Sequence, residues 1–255
     1  VSSALVSRLR QPANVSRMKR LAFAAIALAC VAVAVTVPVT TARSYRDALL
    51  GGGGAGDVQQ TAPAVTAAPS APAESESGSG FSYFVFTMTW PSAFCEDTHC
   101  KVEPDYFTIH GLWPNFADGS WPSFCNSSYP FDPTQVQDLK PDLDRNWPDV
   151  KKLSDWLWEH EWEKHGTCSK PVLNNEHEYF SKALEIHRAL DPTDALSANG
   201  FPPSNTATYK LSSIHSFLKK ELGTDVVIGC DNGGQDLLQI EVCISRDFSV
   251  MDCPG

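Results

Sequence analysis

The 255-residue chain contains no C-x-x-C pair, no internal repeat and no glycine period. The first absence weakens a structural zinc site. The last excludes collagen. Positive charge is also scarce: 20 Lys+Arg stand against 30 Asp+Glu, a net charge of −10. A negative field repels phosphate, which argues against a sequence-reading DNA-binding protein. A local basic site inside a cleft stays open. The longest apolar run, Leu21 to Val35, falls short of the roughly 20 residues a membrane span needs.

What is present is enough for a core. Hydrophobic residues make up 42% and charged residues 20%, so the chain is not wholly disordered, and its length suits one large domain or two small ones. The chemistry is unevenly placed. The first 80 residues carry 7 basic and 4 acidic side chains, and the remaining 175 carry 13 and 26. All seven His lie between His99 and His215, and all seven Trp between Trp90 and Trp162.

Residues 1–43 read as a targeting region, a signal peptide with an uncleaved anchor as the alternative. Arg17-Met18-Lys19-Arg20 precedes the apolar run, and small residues (Thr40, Thr41, Ala42) follow it. Residues 44–80 hold Gly51-Gly52-Gly53-Gly54, Ala/Pro/Thr repeats and a Glu/Ser/Gly tract. Such composition buries too little apolar surface to offset chain entropy, so it reads as a disordered linker. The folded domain is expected over 81–255. Cys30 lies in the apolar run, and the domain keeps seven cysteines, an odd number. Asn126-Ser127-Ser128 is a glycosylation sequon; Asn14-Val15-Ser16 has the same pattern but precedes the signal and is discounted.

Within the domain, Phe81–Trp90 and Tyr106–Ile109 read as strands, and 113–130 as a loop. Asp149–His165 has helical spacing ending at Gly166, a natural C-terminal residue. Glu176–Leu190 and Leu211–Leu222 read as amphipathic helices. Val226–Ile228, Leu237–Ile244 and Phe248–Met251 read as strands. The expected class is α+β, a mostly antiparallel sheet packed with several helices.

The segment from Trp156 to Cys168 is the most informative. On a helix with about 100° per residue and Glu161 at zero, His165 falls near +40°, Lys164 near −60° and His160 near −100°. Two imidazoles, a carboxylate and an ammonium then share an arc of about 140°, flanked by Trp158 and Trp162. A solvated charge run is the plain alternative, with His165 compensating the helix dipole. Metal binding is another, but the H-E-x-x-H motif needs histidines four apart, and His160 and His165 are five apart. The second informative segment is Phe107 to Asn115, where His110 ends a strand before Gly111. For His110 alone, packing is the plainer reading. Together the parts suit phosphoryl transfer: one His removes a proton, another donates one, a cation meets phosphorane charge, and aromatics stack on bases.

These two segments, Phe107 to Pro114 and His160 to Cys168, resemble the paired signatures of the ribonuclease T2 family, and most nearly its plant S-like branch. Trp90-Pro91 and Asn146-Trp147-Pro148 add to the likeness, which extends over roughly 81–254. The resemblance implies an endoribonuclease that cleaves single-stranded RNA through a 2′,3′-cyclic phosphate to a 3′-phosphate. It further implies an acidic optimum, low base specificity, a secreted or vacuolar location, no cofactor and no metal. DNA, lacking the 2′-hydroxyl, would not react, and a monomer is expected. His110 matches the general acid and His165 the general base. Glu161 and Lys164 match the pair that stabilises the pentacovalent transition state, and His160 the phosphate holder. Trp113 and Asn115 sit at base-site positions, as does Trp121 where Tyr is usual. The resemblance also implies the disulfides Cys95–Cys100, Cys125–Cys168 and Cys243–Cys253, and a downstream cysteine for Cys230 beyond Gly255. Thr89 and Leu157 depart from the usual Gln and Phe, which bears on the second base site. A catalytically silent storage or RNA-binding protein on the same scaffold is the rival from another class.

Overall fold

The computed structural model describes residues 6–12, 80–231 and 234–254. In chain order the strands are β1 (Val6–Ser7), β2 (Tyr83–Thr89), β3 (Thr108–Asn115), β4 (Tyr209–Lys210), β5 (Val226–Cys230), β6 (Leu237–Ser245) and β7 (Val250–Met251). The helices are α1 (Pro91–Phe94), α2 (Lys140–Asn146), α3 (Trp156–Lys164), α4 (Glu176–Leu190), α5 (Thr193–Ala198) and α6 (Leu211–Leu222). The main sheet runs β3-β2-β6-β5, all antiparallel, with β7 added to β6. The class is α+β.

The central strand β2 explains the architecture. Its seven residues are aromatic, β-branched or Met, and both of its edges are paired. Phe84, Phe86 and Met88 point into the helical layer beside Ile240, Val242 and Ile244 of β6. There they share a core with Tyr179, Phe180, Ala183 and Leu184 of α4. The Tyr179 hydroxyl, fully buried, donates to the Leu112 carbonyl at 2.9 Å and so pins α4 to β3. The opposite sheet face carries Tyr83, Val85, Thr89, Gln239 and Glu241, and this face floors a cleft.

Several boundaries differ from the sequence reading, each for a local reason. The helix expected from Asp149 starts at Trp156. Asp149 is buried, its Oδ1 accepts from the backbone N–H of Lys151 and Lys152, and its Oδ2 accepts from Ser154. That side-chain-capped turn competes with helix, and Leu153 at φ 54 completes the break. The strand expected over Tyr106–Ile109 begins at Thr108 and runs on to Asn115, into the residues read as loop. Pro114 is tolerated there because β3 is an edge strand. Phe248 lies in a turn with φ 66, leaving only Val250–Met251 as strand.

The disulfides are Cys95–Cys100, Cys125–Cys168 and Cys243–Cys253. Cys230, at the end of β5, belongs to none of them.

Residues 6–12, grouped in the sequence reading with a targeting region outside the fold, are packed against the domain. β1 pairs with β4, Leu9 is buried, and Trp90 Nε1 donates to the Arg10 carbonyl at 2.8 Å. The Arg10 guanidinium bonds Asp236 and lies 2.6 Å from Glu96. A seven-residue segment whose partners stand far along the chain leaves no periodic signal to read. The apolar run 21–35 and the stretch 44–79 lie outside the described residues, as do Cys30 and the Asn14 sequon. Among the described residues no helix is long and apolar enough to cross a membrane.

Candidate active site

A β-bulge aims the first histidine. β2 and β3 pair with Thr87 opposite Gly111 and Met88 opposite Ile109, so His110 is the inserted residue. The insertion reverses the in-out alternation. His110 and Trp113, three apart and so on opposite faces of a regular strand, become the two half-exposed residues of β3 and line the same cleft. The His110 carbonyl, displaced from the ladder, accepts from Trp147 Nε1 at 2.9 Å. Gly111 is required by close approach: a Cβ there would lie 2.1 Å from Trp113 Nε1 and 2.4 Å from Glu161 Oε2.

Helix α3 supplies the facing wall. Trp158 and Trp162 anchor it, both buried, donating to the carbonyls of Trp147 at 2.7 Å and Tyr129 at 3.0 Å. The helix ends at Lys164, whose carbonyl accepts from Phe124 N–H at 2.9 Å, and His165 is its C-cap. The Cys125–Cys168 bridge ties the same loop to the turn after His165. Close packing continues at Gly166, where a Cβ would meet the Trp162 ring at 2.3 Å.

The two walls enclose a cavity of about 820 Å³. Its lining includes His110, Trp113, Asn115, Trp121, His160, Glu161, Lys164 and His165, all eight residues singled out from the sequence for catalysis or substrate binding. Trp113 sits between the histidines, 5.0 Å from the His110 ring edge-on and 5.4 Å from the His165 ring. Its Nε1 donates to Glu161 Oε2 at 2.7 Å. The Asn115 side-chain amide is buried, 3.1 Å from the Trp113 and Pro114 carbonyls, to which its NH₂ can donate. Trp121 is 60% exposed at the cleft mouth. Asn126 is half-buried, its Oδ1 accepting from Ser128 N–H at 2.9 Å.

Burial sets the protonation states. His165 is pushed down to about 3 by desolvation, helped by Lys164, His160 and His110. His110 is pushed down to about 4 by desolvation, then by His160 and Lys164. His160 is lowered by desolvation and then by Lys164, with Glu163 opposing. Desolvation raises Glu161 to about 8 against the opposing Trp113 bond and Lys164 charge. The free site at neutral pH thus presents neutral imidazoles and a neutral carboxylic acid beside the Lys164 side chain. Buried His165 Nδ1 has no hydrogen-bond partner among the described residues.

The sequence reading missed the bulge and the packing role of Gly111. It also missed the outer lining, Phe94, Lys151 and Trp156. The adjacent Lys151-Lys152 beside Trp156 was the one readable signal. Away from the cleft, Glu96, Asp231 and Asp236 bring carboxylate oxygens within 4.8 Å of one another, but Arg10 engages two of the three.

Residues 81–253 match the Ribonuclease T2 family. A "Ribonuclease T2" of Danio rerio is 37% identical over 177 residues, 66% of this chain and 71% of that one. "Extracellular ribonuclease LE" of Solanum lycopersicum is 35% identical over 185 residues, 68% of this chain and 80% of that one. The solved structure of RNase NT in complex with 5′-AMP superposes with a TM-score of 0.62 at 31% identity, covering 69% of this chain and 91% of that one. Animal and plant relatives match about equally, so the likeness specifies the family more firmly than its plant branch.

Proposed function

Because the chain belongs to the ribonuclease T2 family and is an endoribonuclease, we propose that it cleaves single-stranded RNA by transphosphorylation with the roles that follow. His165, neutral above about pH 3, removes the proton of a ribose 2′-hydroxyl. That oxygen attacks the adjacent phosphorus, and the P–O5′ bond breaks as His110 gives its proton to the departing 5′-oxygen. The product is a 2′,3′-cyclic phosphate, which water opens to a 3′-phosphate. DNA lacks the nucleophile and is not a substrate.

The observation that carries this reading is the joining of His110, Glu161, Lys164 and His165 in one cleft through the Trp113–Glu161 bond. With Trp113 donating to Oε2, that oxygen serves as the acceptor, and the proton of the neutral acid sits on Oε1. A protonated Glu161 does not repel the incoming phosphate and offers a hydrogen bond to a phosphorane oxygen. Lys164 meets the added charge of the same species. His160 holds the phosphate in the ground state. Trp113, Asn115 and Trp121 receive a base, and stacking of this kind tolerates all four bases, so specificity is low.

The resemblance of this chain to an extracellular plant ribonuclease, three disulfides and the Asn126 sequon favour a secreted or vacuolar glycoprotein. No metal or cofactor enters the scheme, and a monomer suffices for it. The test is digestion of a single-stranded RNA and of its 2′-deoxy counterpart in EDTA at mildly acidic pH. Cyclic phosphate termini from RNA alone support the reading. Cleavage of both, or a dependence on added divalent metal, rejects it.

A further inference from the structure

The outer wall of the cleft carries an arrangement that the chemistry above leaves unused. Trp156 begins α3, is 50% exposed and lines the same cavity as His160. It stands one helical turn before His160, and the two rings stack at 5.4 Å with 19° between planes. The Lys152 ammonium lies 4.0 Å from the Trp156 ring centre. Trp156 is thus unlike its neighbours Trp158 and Trp162, which are buried in the core. Half of this large side chain is exposed, and among the described residues its ring lies against an imidazole and a cation.

The loop that presents the cation is built rather than floppy. Asp149 Oδ1 accepts from the backbone N–H of Lys151 at 3.1 Å and Lys152 at 3.0 Å. The Lys152 carbonyl accepts from Lys101 Nζ at 2.8 Å, and Lys101 N–H donates to the Val150 carbonyl at 2.8 Å. The result is an exposed pair of ammonium groups, Lys151 lying 4.6 Å from the Phe94 ring and Lys152 against Trp156. In a domain with twice as many acidic as basic side chains, this is a cationic lip interleaved with aromatics. Single-stranded nucleic acid is held by that pairing, bases on rings and phosphates on cations.

We propose that Trp156 and Lys152 form an outer subsite for one further nucleotide of the RNA, beyond the two that flank the scissile bond. The proposal rests on the RNA-cleaving function given above. Its base stacks on Trp156, and Lys152 leaves the ring to meet its phosphate. In the free protein the two groups occupy each other. The subsite lengthens the bound strand and makes the enzyme favour oligonucleotides over dinucleoside phosphates.

The test compares kcat/KM for a dinucleoside phosphate and for a tetranucleotide of the same scissile step, read as the ratio of the longer to the shorter. The full-length protein should favour the tetranucleotide by about tenfold or more, given what one stacked base contributes. Trp156→Ala and Lys152→Gln should each collapse that ratio, and Trp156→Phe should restore most of it. The ratio removes any loss common to both substrates, such as one passed through His160. Lys152→Gln should also flatten the salt dependence on the tetranucleotide by about 0.7 in logarithmic slope, the share of one phosphate contact on a single strand. Equal rates on both substrates, or a ratio that survives Trp156→Ala and Lys152→Gln, overturns the subsite. Failure to cleave either substrate would overturn the nuclease reading itself.

Discussion

Trp113 Nε1 donates to Glu161 Oε2 at 2.7 Å, and this single bond joins the bulged edge strand to α3, the facing wall of the cleft. It also fixes which oxygen of a buried, neutral carboxyl serves as acceptor. Gly111 leaves room for it. Gly111→Ala should force the indole away, because the added methyl would sit 2.1 Å from Nε1. Overpacking of this kind costs roughly 1–3 kcal/mol in stability, and activity should fall by about a hundredfold, the scale of one lost transition-state hydrogen bond. Steady-state kinetics and a denaturant melt of the variant check both. Unchanged kcat/KM would mean that the bond does not matter.

Activity against pH should separate the free from the bound enzyme. In the free site His110 titrates at about 4, so the fraction able to act as acid declines above that pH. Bound phosphate is anionic and favours the imidazolium, which moves this limb upward. The kcat profile should therefore reach to higher pH than the kcat/KM profile. Coincident profiles would show that substrate charge does not tune His110.

Stability against pH follows from four groups whose titration folding shifts mainly by desolvation. Folding raises Glu161 and Glu176 from 4.5 to about 8 and about 7, mainly through desolvation. Their ionisation therefore costs stability as pH climbs from 4.5 through those values. Folding lowers His110 and His165 from 6.5 to about 4 and about 3, again mainly by desolvation. Their protonation costs stability as pH drops from 6.5 through those values. Between 4.5 and 6.5 the two pairs oppose each other, and outside that window one pair acts alone. Thermal melts should show the highest Tm inside the window. A Tm that climbs steadily from pH 6.5 to 8 would contradict the burial of these carboxyls.

The Cys125–Cys168 bridge spans 43 residues and fastens the loop that bears Trp121 to the turn that follows α3. Closing a loop of that length is worth about 4 kcal/mol on the chain-entropy model. The double variant Cys125→Ser, Cys168→Ser should lose stability of that order and show a raised KM, because Trp121 loses its anchor. Chemical denaturation and steady-state kinetics measure the two effects. A KM equal to that of the parent would detach the loop from substrate binding.

Much of this was readable in the chain. Phe81–Trp90 announced a buried strand by its aromatics, and α4 and α6 were bounded by their own periodicity. The cluster from His160 to His165 was legible because helical spacing converts directly into a shared face. The bulge was not: a one-residue insertion leaves no mark in an alternating pattern, and without it His110 and Trp113 would be assigned opposite faces. Asp149 hid the start of α3, since its bonds to Lys151 and Lys152 N–H exist only once the side chain is buried. The short helices α1, α2 and α5 have too few residues for a period to show. The packing of Leu9 and Arg10 depends on Ser204 and Asp236, far beyond any local window.

The central claim is that His110 and His165 divide the proton transfers, and one assay addresses it. A dinucleoside phosphate is followed by chromatography in EDTA, from acid to neutral pH, with the parent, His110→Ala and His165→Ala. The parent should release a 2′,3′-cyclic phosphate before any 3′-phosphate. Each variant should lose roughly 10²–10⁴ in kcat, the value of one general acid or base. Direct formation of the 3′-phosphate without a cyclic species, or near-parental turnover in either variant, would contradict the mechanism.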